Sequence, residues 1–258
     1  MISVIIPFYK AENFILQSSK SASIQKIVSE VIVVYDGCPN TTFNELKILL
    51  YEMDKVFLIH HKGFINQGPG ASRNLGILKA SNNWIAFLDA DDYFLENRFD
   101  SFKKAIKNDL VFDGMYEAAI YERSTKLYTV LKSLSPSKLL HYLIRGTYGH
   151  FCTDGIIVKR ELCLKAGMFN EELKLHQDSE FWLRLAFYGN LVAGDIKNPV
   201  SIIRKHENNR IWKGTSNSSR LKQWKITWRW AWDKPVGIIN KLLILRKLFK
   251  YKIGSLRE

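Results

Sequence analysis

Two short runs of β-branched residues constrain the fold more than any other feature of this chain. Residues 3–7 (SVIIP) and 31–35 (VIVVY) are continuously apolar rather than alternating. A strand of that kind is buried on both faces, as in a parallel sheet covered by helices. Each run ends in turn residues, and the polar stretch 11–29 between them has the length of a crossover helix, so the segment reads as a βαβ unit. Residues 56–60 read as a third strand, 70–80 as a helix and 84–88 (WIAFL) as a fourth strand. The alternation predicts an α/β fold with a mostly parallel central sheet flanked by helices. After Asp92 the pattern turns to helices at 95–108, 135–145 and 179–188, with strands or loops at 110–121 and 126–131.

The sharpest candidate for chemistry is Asp89-Ala90-Asp91-Asp92, directly after the apolar strand WIAFL. The carboxyl ends of parallel strands open onto the ligand crevice, so these acids are expected where a small molecule binds. Their mutual repulsion is relieved by a hard divalent cation, Mg²⁺ or Mn²⁺, which also neutralises a diphosphate; a solvated acidic turn is the plainer reading. Asp36-Gly37, at the end of the second run, is either a turn pair or a carboxylate placed to accept from a nucleotide base. The segment 66–74 (NQGPGASRN) reads as a glycine-rich loop entering a helix, where backbone N–H groups and Arg73 can meet phosphate. It satisfies neither a dinucleotide fingerprint nor a P-loop. Asp178 stands at the entrance of an amphipathic helix with Phe181, Leu185 and Tyr188 on one face; it can cap the helix, take a proton from a hydroxyl, or both. His206 follows a short apolar strand, 200–203, and is a candidate metal or phosphate ligand.

The basicity of the chain belongs to its end. The formal net charge is +13, and from Arg204 onward fifteen Lys/Arg face three acids, leaving residues 1–203 nearly neutral. Five of the seven tryptophans lie between 212 and 232, and Trp224, Trp228 and Trp232 fall on one helical stripe. After the break at 235–237, residues 238–249 interleave Leu and Ile with Lys241, Arg246 and Lys247. Aromatic residues with flanking cations suit a helix lying in a membrane interface. A core-packed helix pair with a basic outer face is the alternative. No nucleic-acid-binding signature accompanies the tail, so nucleic acid is not an expected partner. No run is apolar enough to span a bilayer and no signal peptide is evident, so the expectation is a cytoplasmic protein, peripheral at the inner face of the cell membrane. Three widely spaced cysteines, Cys38, Cys152 and Cys163, suggest reduced thiols without a chemical role. The apolar tail could equally make a homodimer contact.

Together the motifs resemble family 2 glycosyltransferases, inverting enzymes with the GT-A fold. SVIIPFYKAENF is similar to the family's opening strand and turn, VYDGCPN to its second strand, NQGPGASRNLGI to its Asn-x-Gly…Ala-Arg-Asn segment, WIAFLDADDYF to its Asp-x-Asp strand, and HQDSEFWLRLAFYG to its Glu-Asp…Phe-Trp-x-Arg helix. The order holds over residues 1–210. The resemblance implies a nucleotide-sugar-binding half over 1–100, an acceptor-binding half over 101–215 and a basic helical tail over 216–258. It implies that Pro7, Tyr9, Glu12 and Asp36 line the nucleoside pocket, with Arg73 nearby and Asp89 on ribose or base. Asp91 would hold a Mn²⁺ or Mg²⁺ bridging the diphosphate, with His206 beside it, and Asp178 would be the general base. The implied donor is a UDP-sugar and the implied acceptor a glycan, lipid-linked in surface polysaccharide synthesis. Within these motifs Tyr35 replaces an Asp, Cys38 a Ser and Gln177 a Glu. A sugar nucleotidyltransferase would also use an α/β sheet and metal-binding acids, but its Gly-x-Gly-Thr-Arg start is missing. A non-catalytic sugar-nucleotide or membrane-surface binding protein would have little use for Asp178 beside Asp91.

Overall fold

A computed structural model describes residues 1–206 and 216–258. The apolar runs become β1 (Ile2–Phe8), β2 (Val28–Tyr35), β3 (Val56–His60) and β4 (Trp84–Phe87). They are linked by α1 (Ile15–Ser23), α2 (Phe43–Leu49) and α3 (Pro69–Lys79). There follow β5 (Tyr93–Phe94), α4 (Asp100–Lys107), β6 (Gly114–Tyr116), β7 (Ala118–Tyr121), β8 (Leu127–Tyr128) and α5 (Pro136–Arg145). Then come β9 (Ile156–Lys159), α6 (Arg160–Lys165), α7 (Gln177–Tyr188), β10 (Leu191–Ala193) and β11 (Pro199–Ile203). The tail forms α8 (Asn217–Trp232) and α9 (Ile238–Ser255).

The central sheet has the order β10-β6-β9-β4-β1-β2-β3, and all pairings are parallel except those of β9. The expectation of strands buried on both faces is met residue by residue. Ile5, Ile32, Val34, Ile85 and Phe87 point into a core shared with α3, α5 and α7. Val4, Ile6, Val31, Val33, Ala86 and Leu88 point into a second core with α1, α2 and α4. Gly76 lets α3 approach closely: a Cβ there would lie 2.4 Å from Ile5 Cγ2. The sequence did not suggest β9, whose antiparallel course inserts the second half of the chain into the sheet built by the first. One continuous sheet therefore crosses the 100/101 division. A second sheet, β5-β11-β7-β8, stands beside the carboxyl end of β4.

The tail changes one expectation. α8 and α9 pack on each other and on α5 and α7, and Trp224, Ala231, Val236 and Ile244 belong to the main core. Trp224 is 5% exposed whereas Trp232 is 61% exposed. Trp230 meets Phe187 edge-on with ring centroids 5.4 Å apart. The helical tryptophan stripe is thus divided: its first member anchors the hairpin in the core, and its last is largely exposed. Trp212 lies outside the described residues.

Candidate active site

The turn after β4 is held from beneath by two buried acids. Asp92 N–H donates to the Asp89 carbonyl at 3.0 Å, closing the turn. Asp89 N–H donates to Asp154 Oδ1 at 3.0 Å, and Arg204 N–H to Asp92 Oδ1 at 2.8 Å. Carboxylate oxygens of Asp89, Asp92 and Asp154 lie within 4.8 Å of one another. Burial, then repulsion from Asp89, pushes the Asp154 carboxyl up to about 7; burial, then Asp154, raises Asp92 well above the carboxylate range. Two buried carboxyls this close resist ionising together, which favours a proton shared between them. Sequence reasoning missed Asp154, because only the pairing of β9 with β4 brings it under the turn.

A raised folded-state pKa contributes stability that is present below the unfolded value near 4 and is lost as pH rises through the folded value near 7. Melting temperature in metal-free buffer is therefore expected to fall between pH 5 and pH 8. Asp154→Asn, which keeps an acceptor for Asp89 N–H, should flatten that slope. A variant with the wild-type slope would show that the proton is not shared there.

Above this layer lies a cleft of about 660 Å³, a size suited to a small ligand. Pro7, Tyr9, Asp36, Arg73, Asp89, Asp91 and His206 all line it, so seven of the nine residues named from the sequence come together. Arg73, on α3, is 5% exposed; its Nη2 reaches Asp89 Oδ1 at 2.5 Å and its guanidinium lies over Phe169. The Asp36 carboxylate is engaged by the glycine-rich loop, accepting from Gln67 N–H at 2.7 Å, Gly68 N–H at 3.0 Å and Asn66 Nδ2 at 3.0 Å. Burial raises its pKa, and the loop's N–H groups partly offset this. Its visible work is to fix the loop as a wall of the cleft.

Glu12 is not among the residues lining the cleft. It accepts from Cys38 Sγ at 3.0 Å and Thr41 Oγ1 at 2.9 Å. Burial pushes its pKa up, but these bonds outweigh burial and leave it lowered. Tyr35 Oη lies 3.0 Å from the Cys38 carbonyl and 2.9 Å from that of Thr41. Glu12 and the two unusual residues, Tyr35 and Cys38, therefore knit the turn behind Asp36. Cys38 has a structural role that sequence reading did not give it.

On the opposite lip His206 Nε2 stands 2.8 Å from Asp91 Oδ2, both partly exposed, with the imidazole against Phe14 at 4.9 Å between centroids. One carboxylate oxygen and one imidazole nitrogen facing a cleft form an open donor set that fits a divalent cation, with remaining positions left for ligand oxygens. The buried trio beneath is less suitable for bridging a ligand, because Asp92 and Asp154 are already committed to the turn.

Asp178 lies on the first turn of α7, not at its cap. The cap position is His176, held at φ +62° without a side-chain capping bond. Asp178 Oδ1 accepts from Ser179 N–H at 2.7 Å, and an acid here is favoured by the helix dipole. Its neighbour Gln177 lines the cleft and touches the start of α3: a Cβ on Gly70 would lie 2.1 Å from Gln177 Oε1. Asp178 itself is not among the residues lining the cleft, and its charge, with those of Cys152, Asp92 and Asp154, adds to the burial that raises the Tyr121 pKa. α7 is anchored by Phe181 and Trp182, both fully buried, and by the Glu180–Arg184 pair at 2.6 and 2.8 Å.

Comparison with known proteins agrees with this fold. The glycosyl transferase family 2 model matches residues 3–165. An uncharacterized glycosyltransferase of Rickettsia conorii is 26% identical over 204 residues, 79% of this chain and 32% of that protein. The minor teichoic acid biosynthesis protein GgaA of Bacillus subtilis is 27% identical over 218 residues, 75% of this chain and 46% of its own length. The chain thus spans about a third of the first relative and under half of the second. The structure of S. aureus TarS 1-349 in complex with UDP-GlcNAc superposes with a TM-score of 0.77, covering 98% of this chain and 72% of that one at 17% identity, a likeness of fold. An α/β chain with the GT-A architecture and a carboxylate-lined cleft at the ends of β1, β2 and β4, it belongs to glycosyl transferase family 2.

Proposed function

We propose that this chain transfers a sugar, with inversion, from a UDP-sugar to a hydroxyl of a glycan acceptor in surface polysaccharide synthesis. The observation that carries the reading is the cleft itself. The Asp91–His206 pair forms one lip, the Arg73–Asp89 pair lies within, and Gln177 joins the cleft to the helix bearing Asp178. The TarS complex with UDP-GlcNAc and the teichoic acid role in GgaA's name support the donor and acceptor classes. In this reading Pro7, Tyr9 and the loop fixed by Asp36 enclose the nucleoside, with Arg73 and Asp89 beside the ribose. Asp91 and His206 would hold Mn²⁺ or Mg²⁺, which when bound neutralises charge on the departing diphosphate. Asp178 accepts the proton of the acceptor hydroxyl; its oxygen bonds to the anomeric carbon from the face opposite the breaking bond to the nucleoside diphosphate, which leaves with that electron pair.

The test is nucleoside diphosphate release from UDP-, dTDP- and GDP-sugars by the purified chain with Mn²⁺, with Mg²⁺ and with chelator. Metal-dependent release from one donor is expected. Absence of both release and metal-enhanced nucleotide binding would overturn the reading.

A membrane surface is the proposed setting, because α9 exposes Leu242, Arg246, Phe249 and Ile253 along one stripe, near Lys250. Among the described residues no helix is long and apolar enough to cross a bilayer. A half-apolar, half-cationic stripe suits the plane of an anionic interface. Co-sedimentation with phosphatidylglycerol vesicles but not with phosphatidylcholine vesicles is expected, and Leu242→Glu with Phe249→Glu should abolish it. Equal sedimentation of wild type and double variant would sink this part, and concentration-dependent dimerisation lost in the same variant would assign the stripe to a second copy instead.

A further inference from the structure

One wall of the cleft is built by the segment 169–177, which leads into α7, and α3 holds that segment in place. Asn74, buried on α3, clasps it at Phe169: Phe169 N–H donates to Asn74 Oδ1 at 2.8 Å, and Asn74 Nδ2 donates to the Phe169 carbonyl at 2.9 Å and to Glu171 Oε1 at 2.8 Å. The far end of the segment turns through His176, at φ +62°, into Gln177, the first residue of α7. Glu171, Leu173, Lys174 and Gln177 line the cleft. Gln177 is 6% exposed, and among the described residues its carboxamide has no hydrogen-bond partner. A buried amide left unpaired costs free energy that a ligand can recover.

The surroundings of Gln177 set which way its amide faces. Oε1 rests on Gly70, where it occupies the place a Cβ would take. That is the first turn of α3, the positive end of the helix dipole, where N–H groups have no intrahelical partner. The amide N–H groups are therefore the end left for the cleft. On the same wall Lys174 is a second donor and makes no ion pair among the described residues, Leu173 is apolar, and Glu171 is drawn towards Asn74. A sugar hydroxyl both donates and accepts, so a carboxylate or a carboxamide serves it equally. An oxygen that only accepts, in a carboxylate or an acylamino carbonyl, is met by a carboxamide and repelled by a carboxylate. Where the motif around Asp178 has a Glu before the acid, this chain has Gln.

We propose that Gln177 selects the donor: its carboxamide donates to an oxygen of the transferred sugar that can only accept, so that sugar bears a carboxylate or an acylamino group. This rests on the transferase reading above, which puts the anomeric carbon beside Asp178, the next residue. The test is kcat/KM for nucleoside diphosphate release by the full-length chain. Its donors, all of the active nucleotide, carry glucose, glucuronic acid, N-acetylglucosamine and the galacto and manno epimers of each. One substituted donor is expected to exceed the plain hexose of its configuration by about tenfold or more, the worth of one hydrogen bond to a buried group. The donor used tells carboxylate from acylamino. Gln177→Glu should cut that ratio by about tenfold or more, because the plain hexose keeps a partner. Gln177→Met, which fills the space without an N–H, should lower it too. The ratio compares two donors on one protein, so a general disturbance of α7 leaves it unchanged. Melting temperatures show which variants fold; if Gln177→Glu does not, Gln177→Met and the wild-type ratio decide. Preference of wild type for a plain hexose, or the wild-type ratio in both folded variants, overturns the selection while leaving the transferase reading intact. Failure of wild type to cleave any donor overturns both.

Discussion

Asp178→Asn is expected to lower transfer to an acceptor by roughly 10²–10⁴-fold, the usual contribution of a general base, while leaving donor affinity close to wild type. The substitution preserves size and retains an oxygen to accept from Ser179 N–H, now 2.7 Å from Asp178 Oδ1, so α7 should keep its start. The helix itself depends on other groups, since Phe181, Trp182 and the Glu180–Arg184 pair are buried behind it. What is removed is the ability to accept a proton at this position. Because Asp178 does not line the donor cleft, the loss should appear in kcat with the chosen acceptor and not in nucleotide-sugar binding by calorimetry. A variant within threefold of wild-type kcat, with matched melting temperature, would show that the proton goes elsewhere. Loss of donor binding would instead mean that α7 shapes the cleft through Gln177.

The first four strands were legible because burial on both faces leaves a mark that needs no tertiary information: four or five apolar residues in succession, bounded by turn residues. α2 also left a mark that was overlooked. Thr42 and Glu45 form a capping box, Glu45 N–H donating to Thr42 Oγ1 at 3.2 Å and Thr42 N–H to Glu45 Oε2 at 2.7 Å. β9 was different in kind. Its four residues resemble many short apolar runs, and its antiparallel place between β4 and β6 follows from long-range pairing alone. Asp154 was hidden for the same reason. The cleft residues could be named because strand ends in an α/β sheet converge, whereas the partners of Glu12, Cys38 and Thr41, follow from local chemistry that spacing does not reveal. In the tail, helical spacing placed three tryptophans on a stripe but could not say that Trp224 would be covered by α9 and Trp232 left exposed.

Asp91→Ala and His206→Ala are each expected to abolish the enhancement of UDP-sugar binding by Mn²⁺, a loss of roughly 10²–10³-fold where the ion supplies several kcal/mol of charge stabilisation. The argument rests on a 2.8 Å separation between Asp91 Oδ2 and His206 Nε2 at the rim of the cleft. Donor atoms so close can share one cation, and removing either takes a ligand from it. Since both act through the same ion, the double variant should bind no worse than the weaker single variant, a non-additivity that separate contacts to the nucleotide would not produce. Asp89 supplies the contrast. It is paired with Arg73 at 2.5 Å, so Asp89→Asn should weaken binding with and without metal alike. Calorimetric titration of UDP-sugar with Mn²⁺ and with chelator distinguishes the patterns. Full metal enhancement in Asp91→Ala, with its loss in Asp89→Asn, would move the cation to the trio of Asp89, Asp92 and Asp154, whose oxygens also lie close enough together to hold one.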